Sequence, residues 1–396
     1  MNKKISLGTV IALIAVAVAL SVTLTMAFAM RQFSVTVSDV NQRQALLDYL
    51  TEVDKKVREQ YDGDIDEALL RESVAASYVD GIGDPYAEYL TADEYAEVQA
   101  ELLGEAEGFG LTVLHSGKGQ LTVDSVESGS PAATAGLKVG AQIVKVNDLP
   151  IGTEMTITNV QDLLKTAGKI QLTVQQDDKE RSFSLVSSAY ILETVTGKMI
   201  KKTTIGYVKV SAFADNTPQQ FATVVESLKT EGATAFVFDL RNNAGGSLAA
   251  AREMLGYLLP RGAYGTLTKS GMVEQLVSEG TTELTQPSAT LINGATAGEA
   301  ELFAGVMAEQ QKTTLVGTTS NGCAMVQEYF PITSTNARIK LSTGQLALTV
   351  GGSWQDVGLT PSREVLAISM DGNEDAQLQA AIDLLTTNAA TNNGGM

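Results

Sequence analysis

Five kinds of residue in this sequence have the type and spacing to do chemistry. Cys323 is the single cysteine and His115 the single histidine. A thiolate with an imidazole base would be a nucleophile-base pair. His115, however, lies in VLHSGKG, which reads as a surface β-hairpin turn, far along the chain from Cys323. One cysteine excludes an intramolecular disulfide, and one histidine excludes a His-based metal cluster. Glu107-Gly108-Phe109-Gly110-Leu111 and Asn242-Asn243-Ala244-Gly245-Gly246 are glycine-bearing stretches. Glycine lets the backbone come close to a ligand and turn successive N–H groups toward one point, as a carboxylate nest or an oxyanion site requires. Either stretch is also readable as a tight turn. Thr296 and Ser320 are hydroxyls beside glycine-rich turns, and Glu299 is a carboxylate read as exposed at a helix N-terminus.

These residues must be held by elements of three characters. Residues 41 to 103 read as helices, with Leu46, Leu47, Leu50 and Val53 at helical spacing. A turn at Gly83-Asp84-Pro85 precedes a helix start at Thr91, where Glu94 completes a capping box. From 105 to 190 come short alternating runs (LTVLH, QLTVDSV, QIVKVND, KIQLTVQQ, SFSLVSS) interrupted by two short helices, the pattern of a small, partly open barrel. From Thr203 strands and helices alternate, which predicts a mainly parallel sheet, with antiparallel strands added between MVQEYFPI and ARIKLSTGQLALTV. Asp375 to Leu385 reads as a final helix and 387–396 as a polar tail.

Composition narrows the function classes. The formal net charge of -18 disfavours nucleic acid and anionic lipid as partners, since both repel an acidic surface. Ile5 to Met30 carries no charge, and such a run exceeds the roughly 20 residues that span a bilayer. Lys3 and Lys4 before it place the N-terminus in the cytoplasm and all that follows Arg31 outside. Ala27-Phe28-Ala29 also fits a signal-peptide cleavage site, but the apolar run is long for a signal peptide, and an uncleaved anchor is the expectation.

The motifs then carry a resemblance. VESGSPAATAGLKVGAQIVKVND after the Gly-Phe-Gly turn closely resembles the PDZ signature of bacterial proteases. Ala141 stands where that signature commonly has aspartate. GDPYAEYLTADEY and VFDLRNNAGGSL resemble segments of the carboxyl-terminal processing peptidases (tail-specific serine proteases), with Ala244 in place of a proline. The resemblance implies that Gly245 and Gly246 help form the oxyanion hole. It also implies that Gly108, Phe109, Gly110 and Leu111 bind a peptide C-terminus, as PDZ domains do by strand addition.

NGATAGEAELFAGV is similar to the family's nucleophile segment, roughly Gly-Thr-Ala-Ser-Ala-Ser-Glu-Ile. Glu301 to Gly305 set the register, so the serine nucleophile position falls on Gly298 and the second serine on Ala300. The family's general base is a lysine within Gly-Lys-Gly. VGTTSNGCAMVQ aligns Cys323 with that lysine, Ala324 with the second glycine and Gln327 with the glutamine that orients the lysine.

The expected fold is α+β and α/β, divided as follows: a cytoplasmic N-terminus (1–4), a transmembrane anchor or signal peptide (5–30), a helical region (31–104), a PDZ domain (105–190), a protease-like core (191–386) and a polar tail (387–396). The implied function is a membrane-anchored, extracytoplasmic pseudoprotease that binds C-terminal tails of exported proteins without cofactor or metal, with an active paralogous peptidase as a second candidate partner. The alternative is an active serine-type endopeptidase with relocated catalytic residues.

Overall fold

The computed structural model describes residues 7–116, 120–152, 155–280, 282–367 and 375–393. Two units divide the chain, Met1–Arg71 and Glu72–Met396. In the first, a single helix runs from Leu7 to Gln60. Arg58 near its end forms a forked pair with Glu67, at 2.6 and 3.0 Å, and Nε also reaches Asp54. Among the described residues no helix is long and apolar enough to cross a membrane. Residues 5 and 6, and many side chains from 7 to 39, lie outside the described set, and the expected span at 5–30 falls largely on them.

In the second unit, Thr91 and Glu94 form the expected capping box, and Gly104 closes the helix Ala92–Leu103 in the left-handed conformation. Asp84 fixes the preceding turn to the body of the fold. Its carboxylate accepts from the Ser342 N–H at 3.0 Å, the Ser342 hydroxyl at 3.1 Å and the Tyr86 N–H.

The short alternating strands build a curled antiparallel sheet in the order Leu111–Ser116, Gln120–Val126, Gln142–Val146, Lys169–Gln176, Lys179–Val186. Alternation supplies its core: Leu121, Val123, Ile143, Val146, Ile170, Leu172, Val174 and Leu185 point inward and are buried. The helix Ile157–Thr166 lays Val160 on them. The strand Leu111–Ser116 is at one end of this order, so among the described residues one of its edges has no strand partner. A two-stranded ladder, Glu105–Gly108 with Ser188–Ile191, ties together the points where the chain enters and leaves this sheet.

The larger core is a six-stranded sheet. Val195–Met199 lies antiparallel to Ile205–Val210, followed by parallel Ala235–Asp239, Ser288–Ile292, Thr314–Gly317 and Arg363–Glu364. Ala235–Asp239 and Ser288–Ile292 are buried at every residue, as strands covered on both faces must be. Phe236 and Phe238 face the helices Thr217–Thr230, Leu248–Leu258 and Glu299–Glu309, through Phe221, Met254 and Phe303 among others. Each such ring contributes about 2–3 kcal/mol by leaving water. Ala235 and Val237 face the other way, onto Ala380, Ala381 and Leu385 of the last helix.

That helix runs from Ala376 to Asn393, so it includes most of the stretch expected to be a polar tail. Thr386 and Thr387 continue it by donating their hydroxyls to the carbonyls of Ile382 and Asp383. The strands expected within 325 to 350 form a separate antiparallel sheet, Met325–Pro331 with Arg338–Leu348. The strands Glu88–Leu90, Gly262–Lys269 and Met272–Ser278 complete it.

Gly110 has φ +67, and a Cβ built there would sit 2.1 Å from Ser130 Cβ. Gly110→Val is therefore expected to destabilise the small barrel by about 2 kcal/mol or more, from left-handed strain and overpacking together. Amide hydrogen exchange across Gln120–Val126 and Lys169–Gln176 measures it; unchanged protection there would contradict this packing.

Candidate functional site

The site forms where the central sheet ends. After Ser288–Ile292 the chain turns through Asn293 to Gly298 and enters the helix Glu299–Glu309. Gly298 takes φ 57 and ψ -121, a conformation in which an L side chain is strained. A Cβ there would meet only Ala244 O at 3.5 Å and Gly245 Cα at 3.8 Å, so space for a side chain remains.

Glu301 joins this helix start to the loop that carries Cys323. It is fully buried. One oxygen, Oε2, accepts from the Gly298 N–H at 3.1 Å and the Cys323 N–H at 2.8 Å. The other accepts from the Gly322 N–H at 2.7 Å and from the Ser320 hydroxyl. The two positions that the sequence pairs as nucleophile and base thus share one acceptor atom.

Neither position offers the expected chemistry. Gly298 has no hydroxyl. Cys323 is 6% exposed, and its sulfur lies 3.8 Å from Gln327 Nε2 and 4.0 Å from the Met325 carbonyl. Burial pushes the thiol pKa up, the Glu301 carboxylate adds to that, and the contacts from Met325, Gln327 and Tyr86 oppose it. A thiol held protonated is a poor nucleophile. Gln327 is where the resemblance places it, beside residue 323, with its amide also donating to the Met325 carbonyl at 2.9 Å. The carbonyl of Cys323 accepts from Trp354 Nε1 and the Ala324 N–H donates to Gln355, which fix the loop.

The hydroxyls nearby are committed. Thr296 is fully buried; its Oγ1 donates to the Leu240 carbonyl at 2.9 Å and accepts from the Asn293 N–H at 3.0 Å. Ser320 donates to Glu301 and accepts from the Leu359 N–H at 2.7 Å. His115 is exposed on the strand Leu111–Ser116, opposite Leu121 in the neighbouring strand, and does not join the cluster.

The glycine loop lies against Gly298, and its donors are taken. Gly245 donates its N–H to Asn243 Oδ1 at 2.9 Å, and Gly246 donates to Glu299 Oε2 at 2.8 Å. Both are held where glycine is needed, at φ 99 and 142, and a Cβ on Gly246 would come 2.3 Å from the Phe213 carbonyl oxygen. Asn243 also ties the loop to the helix start, because its carbonyl accepts from the Ala297 N–H. Glu299 is 7% exposed, which corrects the expectation of an exposed helix-terminal carboxylate. The glycine loop and the strands Met325–Pro331 and Arg338–Leu348 bring Gly246, Tyr329 and Lys340 to it. Burial raises its pKa above the ordinary carboxylate range, against the opposing effects of the Gly246 N–H, its own backbone N–H and the charge of Lys340.

Sequence reasoning did not find Tyr86, Asn243 or Lys340. Asn243 was within reach, since an asparagine two residues before a glycine is a local turn signal. Tyr86 and Lys340 arrive from distant segments.

At the barrel, Phe109 is 2% exposed, so its ring belongs to the core. Its carbonyl accepts from the Ala132 N–H, and that of Gly110 accepts from the Glu127 N–H and the Ser130 hydroxyl. Gly108 at φ 137 and Gly110 at φ 67 give the turn its shape, and Leu111 begins the strand with the open edge.

Residues 204–365 match the model of peptidase family S41, and residues 122–176 match a PDZ domain. A carboxyl-terminal-processing protease of Synechocystis sp. is 26% identical over 322 residues, covering 78% of this chain and 75% of the relative. The carboxy-terminal processing protease CtpA of Bacillus subtilis is 26% identical over 315 residues, covering 78% of this chain and 66% of the relative. Among solved structures, an S41 protease from Bacteroides fragilis shares the fold with a TM-score of 0.57 at 17% identity, over 83% of this chain and 92% of that one. The chain thus carries a peptidase family S41 domain with a PDZ domain ahead of it, and over most of its length it is similar to carboxyl-terminal processing proteases.

Proposed function

We propose that this chain is a membrane-anchored pseudoprotease that holds the C-terminal tails of exported proteins through its PDZ domain and does not cut them. One observation carries the reading. The nucleophile position is Gly298, and the two candidate hydroxyls, Thr296 and Ser320, are buried and bonded into the scaffold. Acyl transfer needs a nucleophile that a neighbouring base can deprotonate. Gly298 cannot form an acyl-enzyme, and Cys323 supplies no amine in place of the lysine. Loss of either member of such a unit costs several orders of magnitude. The second reading, an active endopeptidase with relocated residues, would have to free Thr296 or Ser320 from partners that hold two loops together.

Tail binding rests on other features: the open edge of Leu111–Ser116 and the backbone N–H groups of the turn at Phe109, Gly110 and Leu111. A peptide added as a further strand would place its terminal carboxylate at that turn. An active paralogous peptidase remains a second partner class, which this chain would serve as a tail-holding companion. The anchor rests on the uncharged run Ile5–Met30 behind Lys3 and Lys4, which puts the N-terminus in the cytoplasm and the PDZ and peptidase domains outside the cell membrane.

Three outcomes are expected. The purified chain leaves unstructured peptides intact and takes no label from a fluorophosphonate; labelling that disappears on Thr296→Ala or Ser320→Ala would favour the relocated reading. Peptides with a free apolar C-terminus bind, and amidation weakens them at least about tenfold, because a charge-assisted hydrogen bond contributes about 1.5–3 kcal/mol. Equal calorimetric affinities for the free and amidated forms would leave the PDZ domain without a carboxylate site. In cells, the chain stays in the membrane pellet after a high-salt wash; a soluble form beginning at Met30 would mean that the segment is a cleaved signal.

A further inference from the structure

Glu299 is a buried titratable group for which the proposed function has no use. In the family pattern the residue after the nucleophile is alanine; here it is this glutamate. In serine hydrolases the N–H following the nucleophile, together with an N–H from a glycine loop, commonly receives the negative oxygen of the tetrahedral intermediate. Both of those donors are accounted for in this chain. The Gly246 N–H donates to Glu299 Oε2 at 2.8 Å, and the backbone N–H of Glu299 itself is directed to the same carboxyl group. The other glycine donor, at Gly245, is turned to Asn243 Oδ1. A Cβ built on Gly245 would lie 2.5 Å from Glu299 Oε2, which shows how closely the carboxyl group fills the space over the loop.

We propose that the Glu299 side chain is an intramolecular occupant of the oxyanion hole, closing it against the carbonyl of any bound peptide. The inference rests on the pseudoprotease reading and deepens it: the chain then carries a third departure from an active site, separate from the absent hydroxyl and the absent amine. Occupancy does not depend on the charge of the group, since a protonated carboxyl or a carboxamide also presents an accepting oxygen. The charged and titratable groups that face Glu299 from the packed strands are Lys340 and Tyr329. Lys340 is shared with Glu88, whose carboxylate lies 3.5 Å away. No other acceptor is given for the Gly246 N–H among the described residues, so removing the side chain exposes that donor.

The test compares full-length chains. Gly298→Ser/Cys323→Lys restores the nucleophile and base but keeps Glu299; adding Glu299→Ala opens the hole, and adding Glu299→Gln keeps an uncharged occupant. The Ala triple variant is expected to hydrolyse peptide at least about 100-fold faster than the double variant and the Gln triple variant, the scale of losing one oxyanion donor. The second readout needs no catalysis. Exchange of the Gly246 amide hydrogen should be at least tenfold faster in the single variant Glu299→Ala than in the unaltered chain, and Glu299→Gln should retain protection. Equal rates for the double and Ala triple variants, when both hydrolyse, would overturn the inference while leaving the pseudoprotease reading intact. If none of the rebuilt chains hydrolyses, the amide decides: faster exchange supports the occupant, and unchanged exchange sinks it. Hydrolysis by the unaltered chain would instead remove the pseudoprotease reading itself.

Discussion

The peptidase domain is organised around one buried carboxylate, that of Glu301. It accepts from the N–H groups of Gly298, Gly322 and Cys323 and from the Ser320 hydroxyl. Three of these donors are backbone groups that would otherwise be buried without a partner, and each such orphan costs about 1–3 kcal/mol. Substituting Glu301 therefore releases both loops of the site at once. This explains how the site is held in shape without a serine at 298 or a lysine at 323. The forces that place residue 298 against residue 323 come from main-chain donors and a side chain that takes no part in acyl transfer. Glycine and cysteine can stand at those two positions without disturbing that network.

Several parts of this were legible in the sequence because the signals are local. A capping box at Thr91, alternation through KIQLTVQQ and the Gly-Phe-Gly turn each depend on residues a few positions apart, and the structure contains all three. The parallel sheet was legible from the alternation of strands and helices after Thr203, a pattern that antiparallel hairpins do not give. What was not legible is non-local. Glu299 reads as a solvated charge because acidic residues usually sit in water at helix starts. It is buried because Gly246 lies over it from a loop more than fifty residues earlier in the chain. Asp84 reads as a turn residue, yet its carboxylate meets Ser342 across the fold. The hairpin Gly262–Lys269 with Met272–Ser278 turns at Ser270 and Gly271, both at positive φ. Its Ser-Gly turn and the alternation before it were present in the sequence but are weak without the strand Arg338–Leu348 alongside.

The small side chains at the centre of the site also decide what its electrostatics can be. A lysine at 323 would bring an amine beside the Glu301 carboxylate and need a lowered pKa to act as a base. Cysteine there brings no charge and fills the space as a small apolar group. With no cation supplied at 323, Lys340 is the cation acting on Glu299, and it is shared with Glu88. A buried acid with so little compensation titrates above its usual range, which makes this corner of the fold more costly to keep ionised than the surface carboxylates around it.

What stands at 298 and 323 does not bear on the proposed tail-holding role, because the two domains have separate cores. Phe109, Leu121, Ile143, Val160 and Leu172 pack in one cluster, and Phe221, Phe238, Met254 and Phe303 in another. The barrel's open strand edge and its turn at Gly108 to Leu111 are shaped by contacts inside the barrel, chiefly Ser130, Glu127 and Ala132. None of these touches Gly298, Glu301 or Cys323 through any described hydrogen bond. The ladder between Glu105–Gly108 and Ser188–Ile191 leads directly into the turn at Phe109. That ladder is in turn fastened to the peptidase domain through Asn216, whose amide donates to the carbonyls of Gly104 and Leu192. A tail bound at the barrel, as proposed, would sit on a domain bonded in this way to the peptidase fold. The proposed tail-holding role would use this joint, which involves neither residue 298 nor residue 323.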